Sequence, residues 1–309
     1  MEPIEKITFL RSNAFDPIKQ ECKNVRNNVG LCDISSFAKY EVTGPGAKDW
    51  LESLLANSLP REGRLALTPM LNPHGKLIGD FTVGTLSHEH FFIFGSGAAE
   101  QYHMRWFESH LPSDKSVTIR AHGMGLLGLS IAGPRSRELL AKLTDDDVSQ
   151  AAFKFLDFKR INLGMIPALA GRVTFTGDLG FEFWVKPEFH ARLWDDILEK
   201  GAEFGIRPFG SRAMRSLSLE TSFGSWATEY RPIYGPFAAG LDRFVNLKKS
   251  SFIGRDAAEK EKEQGPVKKL VTFTVDVNQC DVMGNEPIYK EGEIVGYVTS
   301  GMYAHYVDR

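Results

Sequence analysis

The chain has 309 residues, of which 42% are hydrophobic and 25% are charged, a composition typical of a globular protein with two or three packed units. Its 37 basic and 39 acidic residues give a net charge of -2, which excludes the overall positive field of a nucleic-acid-binding protein and supplies no polybasic membrane anchor. No apolar run reaches the length that spans a bilayer, and the first residues lack an apolar signal segment. We therefore expect neither a nucleic acid nor a membrane as a partner.

The three cysteines are Cys22, Cys32 and Cys280, an odd number at wide spacing and without a CxxC pair. This pattern favours neither a disulfide framework nor a zinc site. It predicts a reducing environment, and we expect a cytoplasmic protein.

Two segments, residues 42–51 and 131–140, share one pattern of an alternating strand, a Gly-Pro pair and helical spacing. Each predicts a strand that leads into a helix with proline in its first turn. Further along, strands at 91–94 and 181–184 each precede a helical segment, so the order of a split βαβ unit occurs twice. We predict an α+β fold with two duplicated, ferredoxin-like modules.

The boundaries predicted from these patterns divide the chain into three parts. The first module covers residues 1–125, and the second covers residues 126–266 with a helical return near 213–219. A charged segment that ends in Gly-Pro at 265–266 marks the next boundary. Residues 267–309 are predicted to form an antiparallel β unit with strands at 270–277 and 294–300. About forty residues are fewer than a barrel needs, so we expect this unit to be truncated.

One aspartate interrupts the apolar strand predicted at residues 77–83. Side chains on a strand alternate between its faces, which places Ile78, Asp80 and Thr82 on one side. An unpaired buried charge is costly, so such a carboxylate is paired, solvated or functional. Two interpretations of Asp80 stay open: it caps a turn at the end of the strand, or it belongs to a site.

A second carboxylate lies in a hairpin predicted at residues 175–183, where the chain turns at 177–180 and resumes with Glu182 among aromatic residues. Glu182 either faces solvent on an amphipathic strand or belongs to a site. The repeat favours a site, because the corresponding position of the first module is Phe92 or Ile93. A charge in one copy opposite an apolar residue in the other indicates a difference in function.

Other motifs exclude several classes of site. No GxGxxG or GxxxxGK[ST] sequence occurs, so a dinucleotide or ATP site of those types is not expected. Serine hydrolase chemistry is improbable because there is no GxSxG elbow. His88 and His90 form an HxH pair, which predicts a solvated hairpin tip rather than a metal site because no third ligand is near in sequence.

Taken together, the motifs resemble the folate-binding aminomethyltransferase family, which comprises the glycine-cleavage T-protein and the C-terminal folate domain of dimethylglycine and sarcosine dehydrogenases. The resemblance runs in order through nearly the whole chain. It rests on VGLCDIS (29–35), KYEVTGP (39–45), MLN (70–72), GDFTV (79–83), AGPRS (132–136), TGDLGFE (176–182), SLSLE (216–220), AGLDRF (239–244), FIGR (252–255) and GYVTSG (296–301). The dehydrogenase branch is matched further by SFGSW (222–226) and EY (229–230).

The resemblance implies three domains around a central tetrahydrofolate pocket. The family's catalytic aspartate falls on Asp80, and its pterin-binding glutamate falls on Glu182. Phe175, which stands where many relatives have tyrosine, and Ser218, which stands where the T-protein has arginine, are implied cofactor contacts. Thr82, on the same face as Asp80, is expected to hydrogen-bond the cofactor or to hold Asp80.

The function implied is tetrahydrofolate-dependent transfer of a methylene group from a methylamine-type substrate. A flavin dehydrogenase, on the same polypeptide or on a separate chain, would generate an iminium. A carboxylate is suited to accept the proton of the amine and to stabilise developing positive charge. Three alternatives stay open: aminomethyl transfer as in the T-protein, folate-dependent O- or S-demethylation, and a non-catalytic folate-binding module.

Overall fold

The computed structural model describes residues 4–309, which form three β-sheets with helices packed on the outer faces of the two large ones. The α-helices are α1 (Phe15–Asn27), α2 (Ala47–Leu54), α3 (Glu100–Ser109), α4 (Ser136–Leu143), α5 (Pro187–Gly201), α6 (Ser211–Glu220) and α7 (Arg255–Gln264). The strands are β1 (Gly30–Asp33), β2 (Ala38–Thr43), β3 (Arg64–Leu71), β4 (Leu77–Ser87), β5 (His90–Gly95), β6 (Thr118–Ala121), β7 (Leu127–Ala132), β8 (Phe158–Leu163), β9 (Ile166–Gly171), β10 (Gly180–Val185), β11 (Arg207–Pro208), β12 (Pro287–Lys290) and β13 (Glu293–Tyr297). The predicted α+β class is confirmed.

The first large sheet has the strand order β3-β4-β5-β2-β6. Its outer face packs on α2 and α3, because α2 buries an apolar stripe at helical spacing. That stripe is formed by Ala47, Trp50, Leu51 and Leu54. Phe81 and Val83 of β4 point into the same cluster, so their neighbours along β4 point to the opposite face.

The second large sheet has the order β11-β1-β7-β10-β9-β8. Its outer face packs on α4 and α5, and Phe181 and Phe183 of β10 belong to that core. If β1 is left out, the strands follow the same spatial order as in the first sheet. The ferredoxin-like duplication remains a prediction. β1 departs from the order expected from the sequence, because its residues lie within the predicted first module, 1–125, yet pair with β7 of the second sheet.

Both Gly-Pro pairs lie between a strand and a helix, as predicted. Gly44 and Gly133 have φ values of +121° and +132°, and a Cβ atom on either would come within 2.4 Å of a backbone oxygen. Glycine is therefore required at both turns. The prediction that proline occupies the first helical turn is wrong, because the helices begin two residues later, at Ala47 and Ser136.

The inner faces of the two large sheets meet in a third apolar cluster. Phe92 and Phe94 of β5 pack there with Phe158 and Trp184 of the second sheet. The rings of Phe94 and Trp184 are stacked, with centroids 4.9 Å apart and an interplanar angle of 20°. Residues that share a face with these side chains therefore lie at or beside the junction of the two sheets.

Residues 267–309 contain a two-stranded antiparallel sheet, β12–β13. The strand predicted at 270–277 is wrong: in the described part of the chain this segment pairs with no other strand, and a strand needs a partner for its backbone groups. Many apolar side chains of this region are exposed, among them Val271, Phe273, Met283, Ile294 and Val295. Among residues 4–309, no helix is both long and apolar enough to cross a membrane.

Candidate active site

Asp80 lies on β4 and points to the inner face of the first sheet. It pairs with Pro69 of β3, and its neighbours Gly79 and Phe81 face the outer core. Ile78, which was expected on the same face as Asp80, instead packs in that outer core. The cause is a β-bulge, since the register passes from the Met70–Gly79 pair directly to Leu71–Leu77 and leaves Ile78 unpaired.

The Asp80 carboxylate accepts no hydrogen bond from another residue among 4–309. Its pKa is raised to about 7, chiefly by burial; its own backbone amide lowers the pKa by less, and the negative charge of Glu229 adds a smaller increase. A carboxyl group with a pKa near neutrality can both take and give a proton at physiological pH. Asp80 thus has the electrostatic setting of an acid–base residue rather than of a turn cap.

Thr82 connects Asp80 to the junction of the sheets. It is directly opposite Phe94 of β5, so the two side chains share the inner face. Phe94 stacks on Trp184, which lies two residues after Glu182 on the same face of β10. The inner faces that carry Asp80 and Glu182 are therefore joined through one aromatic contact. In the described residues, Thr82 makes no hydrogen bond to Asp80, and its role in the site stays a prediction.

Glu182 lies at the centre of β10, where it pairs with Ser130 on one side and Gly171 on the other. A Cβ atom at Gly171 would come within 2.9 Å of the Leu65 side chain, so glycine is needed here for the packing beside Glu182. Burial raises the pKa of Glu182 to about 8, and within residues 4–309 no group donates a hydrogen bond to its carboxylate. A half-buried carboxyl group of this kind is satisfied once a ligand supplies donors.

Phe175 lies in the loop 172–179 between β9 and β10, which is longer than the tight hairpin predicted from the sequence. Its ring faces that of Phe223, with centroids 6.3 Å apart and an interplanar angle of 33°. The loop is fixed at Asp178, because Arg26 of α1 forms ion pairs of 2.7 Å with Asp178 and 2.8 Å with Glu220 of α6. Arg26 therefore links the loop that contains Phe175 to α6, the helix that precedes Phe223.

Ser218 is fully buried on α6, and its hydroxyl donates to the carbonyl oxygen of Arg215 one turn earlier, at 2.9 Å. The hydrogen bond of this hydroxyl is therefore made within its own helix. Its assignment as a cofactor contact stays a prediction.

A cavity of about 940 Å³ adjoins the loop after α6 and is bounded on its other side by residues 267–309. Phe223 and Glu229 contribute to its wall, whereas Asp80 and Glu182 do not. Phe223 thus connects the cavity with the Phe175 ring. The cavity is therefore distinct from the positions of the two carboxylates.

Sequence reasoning did not identify the charged residue that contributes to the raised pKa of Asp80. Glu229, which is 5% exposed, forms a 2.9 Å ion pair with Arg215 and acts on Asp80 through its charge. The sequence around Glu229, a loop residue next to Tyr230, does not indicate that its side chain is buried. The available signal was the match of residues 229–230 to the dehydrogenase branch.

Comparisons with known proteins agree with this architecture. The crystal structure of glycine cleavage system aminomethyltransferase T from Bartonella henselae superposes with a TM-score of 0.79 at 21% identity, covering 94% of this chain and 79% of that one. The chain therefore has the fold of that protein. The family model for the GCVT N-terminal domain matches residues 4–249, and that for the glycine cleavage T-protein C-terminal barrel domain matches residues 268–309.

Two curated relatives are similar at the sequence level. An aminomethyltransferase of Caldanaerobacter subterraneus is 33% identical over 293 residues, which is 94% of this chain and 77% of that protein. Mitochondrial dimethylglycine dehydrogenase of Mus musculus is 36% identical over 306 residues, which is 98% of this chain and 35% of that protein. The chain belongs to the glycine cleavage T-protein family, whose aminomethyltransferases use tetrahydrofolate. It spans about a third of the length of the dimethylglycine dehydrogenases that it matches.

Proposed function

We propose that this chain transfers a one-carbon unit, at the oxidation level of methylene, from an N-methyl amine or its iminium to tetrahydrofolate. The observation that carries the proposal is the pair of inner-face carboxylates, Asp80 and Glu182, each without a hydrogen-bond partner from another residue among 4–309 and each with a raised pKa. Keeping such groups is costly for folding, which favours a role in binding and chemistry.

Glu182 fits the pterin ring of tetrahydrofolate. A pterin presents an N–H and an amino group side by side, and one carboxylate can accept both hydrogen bonds. Glu182 offers two carboxylate oxygens that accept no hydrogen bond from another residue among 4–309. Phe175 supplies an aromatic face and Thr82 a hydroxyl nearby on the inner face, and Ser218 is kept as a further proposed contact. These residues would hold the cofactor.

Asp80 is proposed to be the catalytic residue. When bound, tetrahydrofolate supplies the nucleophilic nitrogen that accepts the carbon. The Asp80 carboxylate accepts a proton from the reacting amine and stabilises the positive charge of the donor. Its pKa near 7 allows it to return that proton to solvent at neutral pH.

The donor is proposed to be a methylamine such as dimethylglycine, because similarity to dimethylglycine dehydrogenase extends over 98% of the chain. Oxidation of an N-methyl amine requires an electron acceptor, so we propose a flavin dehydrogenase domain or subunit as the partner. We further propose the three-part division at residues 1–125, 126–266 and 267–309, and a cytoplasmic location.

The test of the function is Asp80→Asn, with the exposed Asp16→Asn as control. Titration calorimetry with tetrahydrofolate measures binding, and chromatography of 5,10-methylene-tetrahydrofolate measures transfer when dimethylglycine and a dimethylglycine dehydrogenase flavin domain are supplied. We expect Asp80→Asn to bind as the unmodified protein does but to lose transfer by about 100-fold or more, because a general base is removed.

Each other outcome has a distinct meaning. Undiminished transfer in Asp80→Asn contradicts the catalytic role. Binding without any transfer in the unmodified protein supports the non-catalytic folate-binding module instead. Formation of 5-methyl-tetrahydrofolate from a methyl ether or thioether indicates the demethylase alternative.

A further inference from the structure

Arg26 of α1 is the residue at which three separate segments of the chain meet. One of its terminal nitrogens, Nη1, forms an ion pair of 2.7 Å with Asp178 and donates to the carbonyl oxygen of Thr176 at 3.4 Å. The other, Nη2, forms an ion pair of 2.8 Å with Glu220 of α6. One planar guanidinium therefore binds loop 172–179 on one side and α6 on the other.

The three charged groups of this contact are almost closed to solvent. The side chains of Arg26, Asp178 and Glu220 are 12%, 10% and 4% exposed. Charges held at short range away from water interact more strongly than ion pairs at the surface, and removing one partner leaves the other buried and unpaired. We therefore expect a change at any of the three charges to disturb the connection between the loop and the helix.

The middle of the loop, residues 173–178, is otherwise hydrogen-bonded only to itself. The Thr174 hydroxyl donates to the carbonyl oxygen of Asp178 at 2.7 Å, and the Asp178 amide donates to Thr176 Oγ1 at 3.3 Å. Between this segment and the rest of residues 4–309, the hydrogen bonds come from Arg26 alone. The position of the loop therefore depends on this arginine more than on any other polar contact.

Phe175 belongs to the part of the loop that Arg26 holds, and its ring faces that of Phe223. Phe223 is fixed relative to α6, because its amide donates to a carbonyl oxygen in the last turn of that helix at 2.9 Å. Gly177, with a φ of +79°, brings the loop against the end of α6, since a Cβ atom on it would come within 2.5 Å of Thr221 Cγ2. The spacing of the two phenyl rings is therefore set by how the loop lies on α6.

We propose that Arg26 is a positioning residue for tetrahydrofolate, because it holds Phe175 where the cofactor ring meets it. The inference rests on the proposed function, in which Phe175 supplies an aromatic face to the cofactor. Arg26 itself does not touch the cofactor in this proposal, since both of its terminal nitrogens already bind groups of the chain. An ordered loop favours binding, because the ligand does not have to fix the loop in place itself.

Two variants test the connection without removing the arginine side chain outright. Arg26→Lys keeps a positive charge, but one ammonium cannot reproduce the two-sided contact of a planar guanidinium. Asp178→Asn removes only the ion pair with the loop and leaves the pair between Arg26 and Glu220 in place. Arg255→Lys is the control, because Arg255 also binds two carbonyl oxygens and pairs with Glu259, and none of these partners is a proposed site residue.

The first measurement needs neither folate nor donor. Hydrogen–deuterium exchange followed by mass spectrometry reports the opening of loop 172–179. We expect peptides that cover the loop to exchange faster by about tenfold in Arg26→Lys and in Asp178→Asn, because a hydrogen-bonded ion pair is among the stronger contacts of a protein. Peptides of the first sheet, and the loop in the control variant, are expected to exchange as in the unmodified protein.

The second measurement is the rate of one-carbon transfer at varied tetrahydrofolate concentration. We expect KM for tetrahydrofolate to rise by about fivefold in both variants, which corresponds to a loop that is in its binding position for about a fifth of the time. We expect kcat to stay within about twofold, because neither residue touches the reacting atoms. A general loss of folded protein would instead lower kcat and leave KM unchanged.

Unchanged exchange of the loop in the two folded variants overturns the proposal, and so does faster exchange with an unchanged KM. A fall of kcat at constant KM overturns it as well. If the unmodified protein binds tetrahydrofolate but transfers no one-carbon unit, the proposed reaction is contradicted, and a fivefold rise of the calorimetric dissociation constant in the variants still supports the role of Arg26. If it binds no tetrahydrofolate, the proposed function fails, and exchange alone decides whether Arg26 holds the loop.

Discussion

The inner faces of the two large sheets carry a glutamate at nearly the same place, but on neighbouring strands. In the first sheet, Glu41 of β2 lies opposite Phe92 of β5. In the second sheet, the strands at the same places in the spatial order are β7 and β10, where Ser130 lies opposite Glu182. The glutamate therefore lies on β2 in the first sheet, whereas in the second sheet it lies on β10, which corresponds in position to β5.

The two glutamates also differ in their partners. Glu41 bridges two imidazoles, with His90 Nε2 at 2.8 Å and His122 Nε2 at 3.0 Å. Burial raises the pKa of Glu41, but the two histidines outweigh it and lower the pKa overall. Burial raises the pKa of Glu182 to about 8 and no residue among 4–309 offsets it. A carboxylate is therefore paired within the structure in one sheet and left without a partner among residues 4–309 in the other.

The largest effect expected from this comparison is on folate affinity. Glu182→Gln removes a charge-assisted, bidentate contact, so we expect tetrahydrofolate to bind more weakly by about 2 kcal/mol, or about 30-fold. Glu41→Gln is the matched change in the other sheet and is expected to leave the dissociation constant within about twofold. Calorimetric titration of both variants measures the difference.

Equal losses of affinity in the two variants would break the comparison, because both glutamates would then act only through the stability of their sheets. An unchanged affinity in Glu182→Gln would mean that a group other than Glu182 accepts the hydrogen bonds of the pterin.

A smaller effect is expected on the pH dependence of stability. Because the pKa of Glu182 is raised in the folded state, this group keeps a proton there that it loses in the unfolded chain between about pH 4.5 and pH 8. The folded state is therefore penalised increasingly as the pH rises through that window. We expect Glu182→Gln to be more stable than the unmodified protein, with a gain that grows by at least about 1 kcal/mol from pH 5 to pH 8.

Glu41→Gln is expected to have the opposite sign. The lowered pKa of Glu41 means that its charge contributes stability above the unfolded-state pKa, and this contribution is lost as the pH falls. Urea unfolding at several pH values measures both variants. A gain in stability from Glu41→Gln at neutral pH would show that the two histidines do not compensate for its burial.

The smallest effect concerns Ser218. Because its hydroxyl already donates within α6, Ser218 is expected to add only a weak contact to the cofactor, so Ser218→Ala should raise the tetrahydrofolate dissociation constant by about twofold at most and cost about 1 kcal/mol of stability. Calorimetry and urea unfolding test the two parts. A tenfold loss of affinity would show that the Ser218 hydroxyl turns toward the ligand and makes a full hydrogen bond to it.

Much of this architecture could be predicted from local pattern. The strand, Gly-Pro and helix order is visible in the sequence because glycine is required where another backbone segment comes close. Asp80 and Glu182 were recognisable because a carboxylate in an apolar strand conflicts with burial. In both cases a residue type is unusual for its local sequence context, and this can be recognised from the sequence alone.

The features that were missed depend on contacts distant in sequence. Nothing local indicates that Glu229 is buried, because its partners Arg215 and Ser300 come from other segments. The position of Ile78 depends on a bulge relative to β3, and alternation alone places it on the wrong face. Register and ion pairing between segments are properties of the assembled sheets.

The strand β1 has a consequence for how the chain acquires its structure. Gly30 pairs with Ala132, about a hundred residues later, and with Arg207 further still. During synthesis β1 therefore leaves the ribosome long before any of its neighbours exist, and the whole first sheet can assemble while it waits. The two sheets are consequently not independent folding units, because the second is completed by one of the first segments to be made.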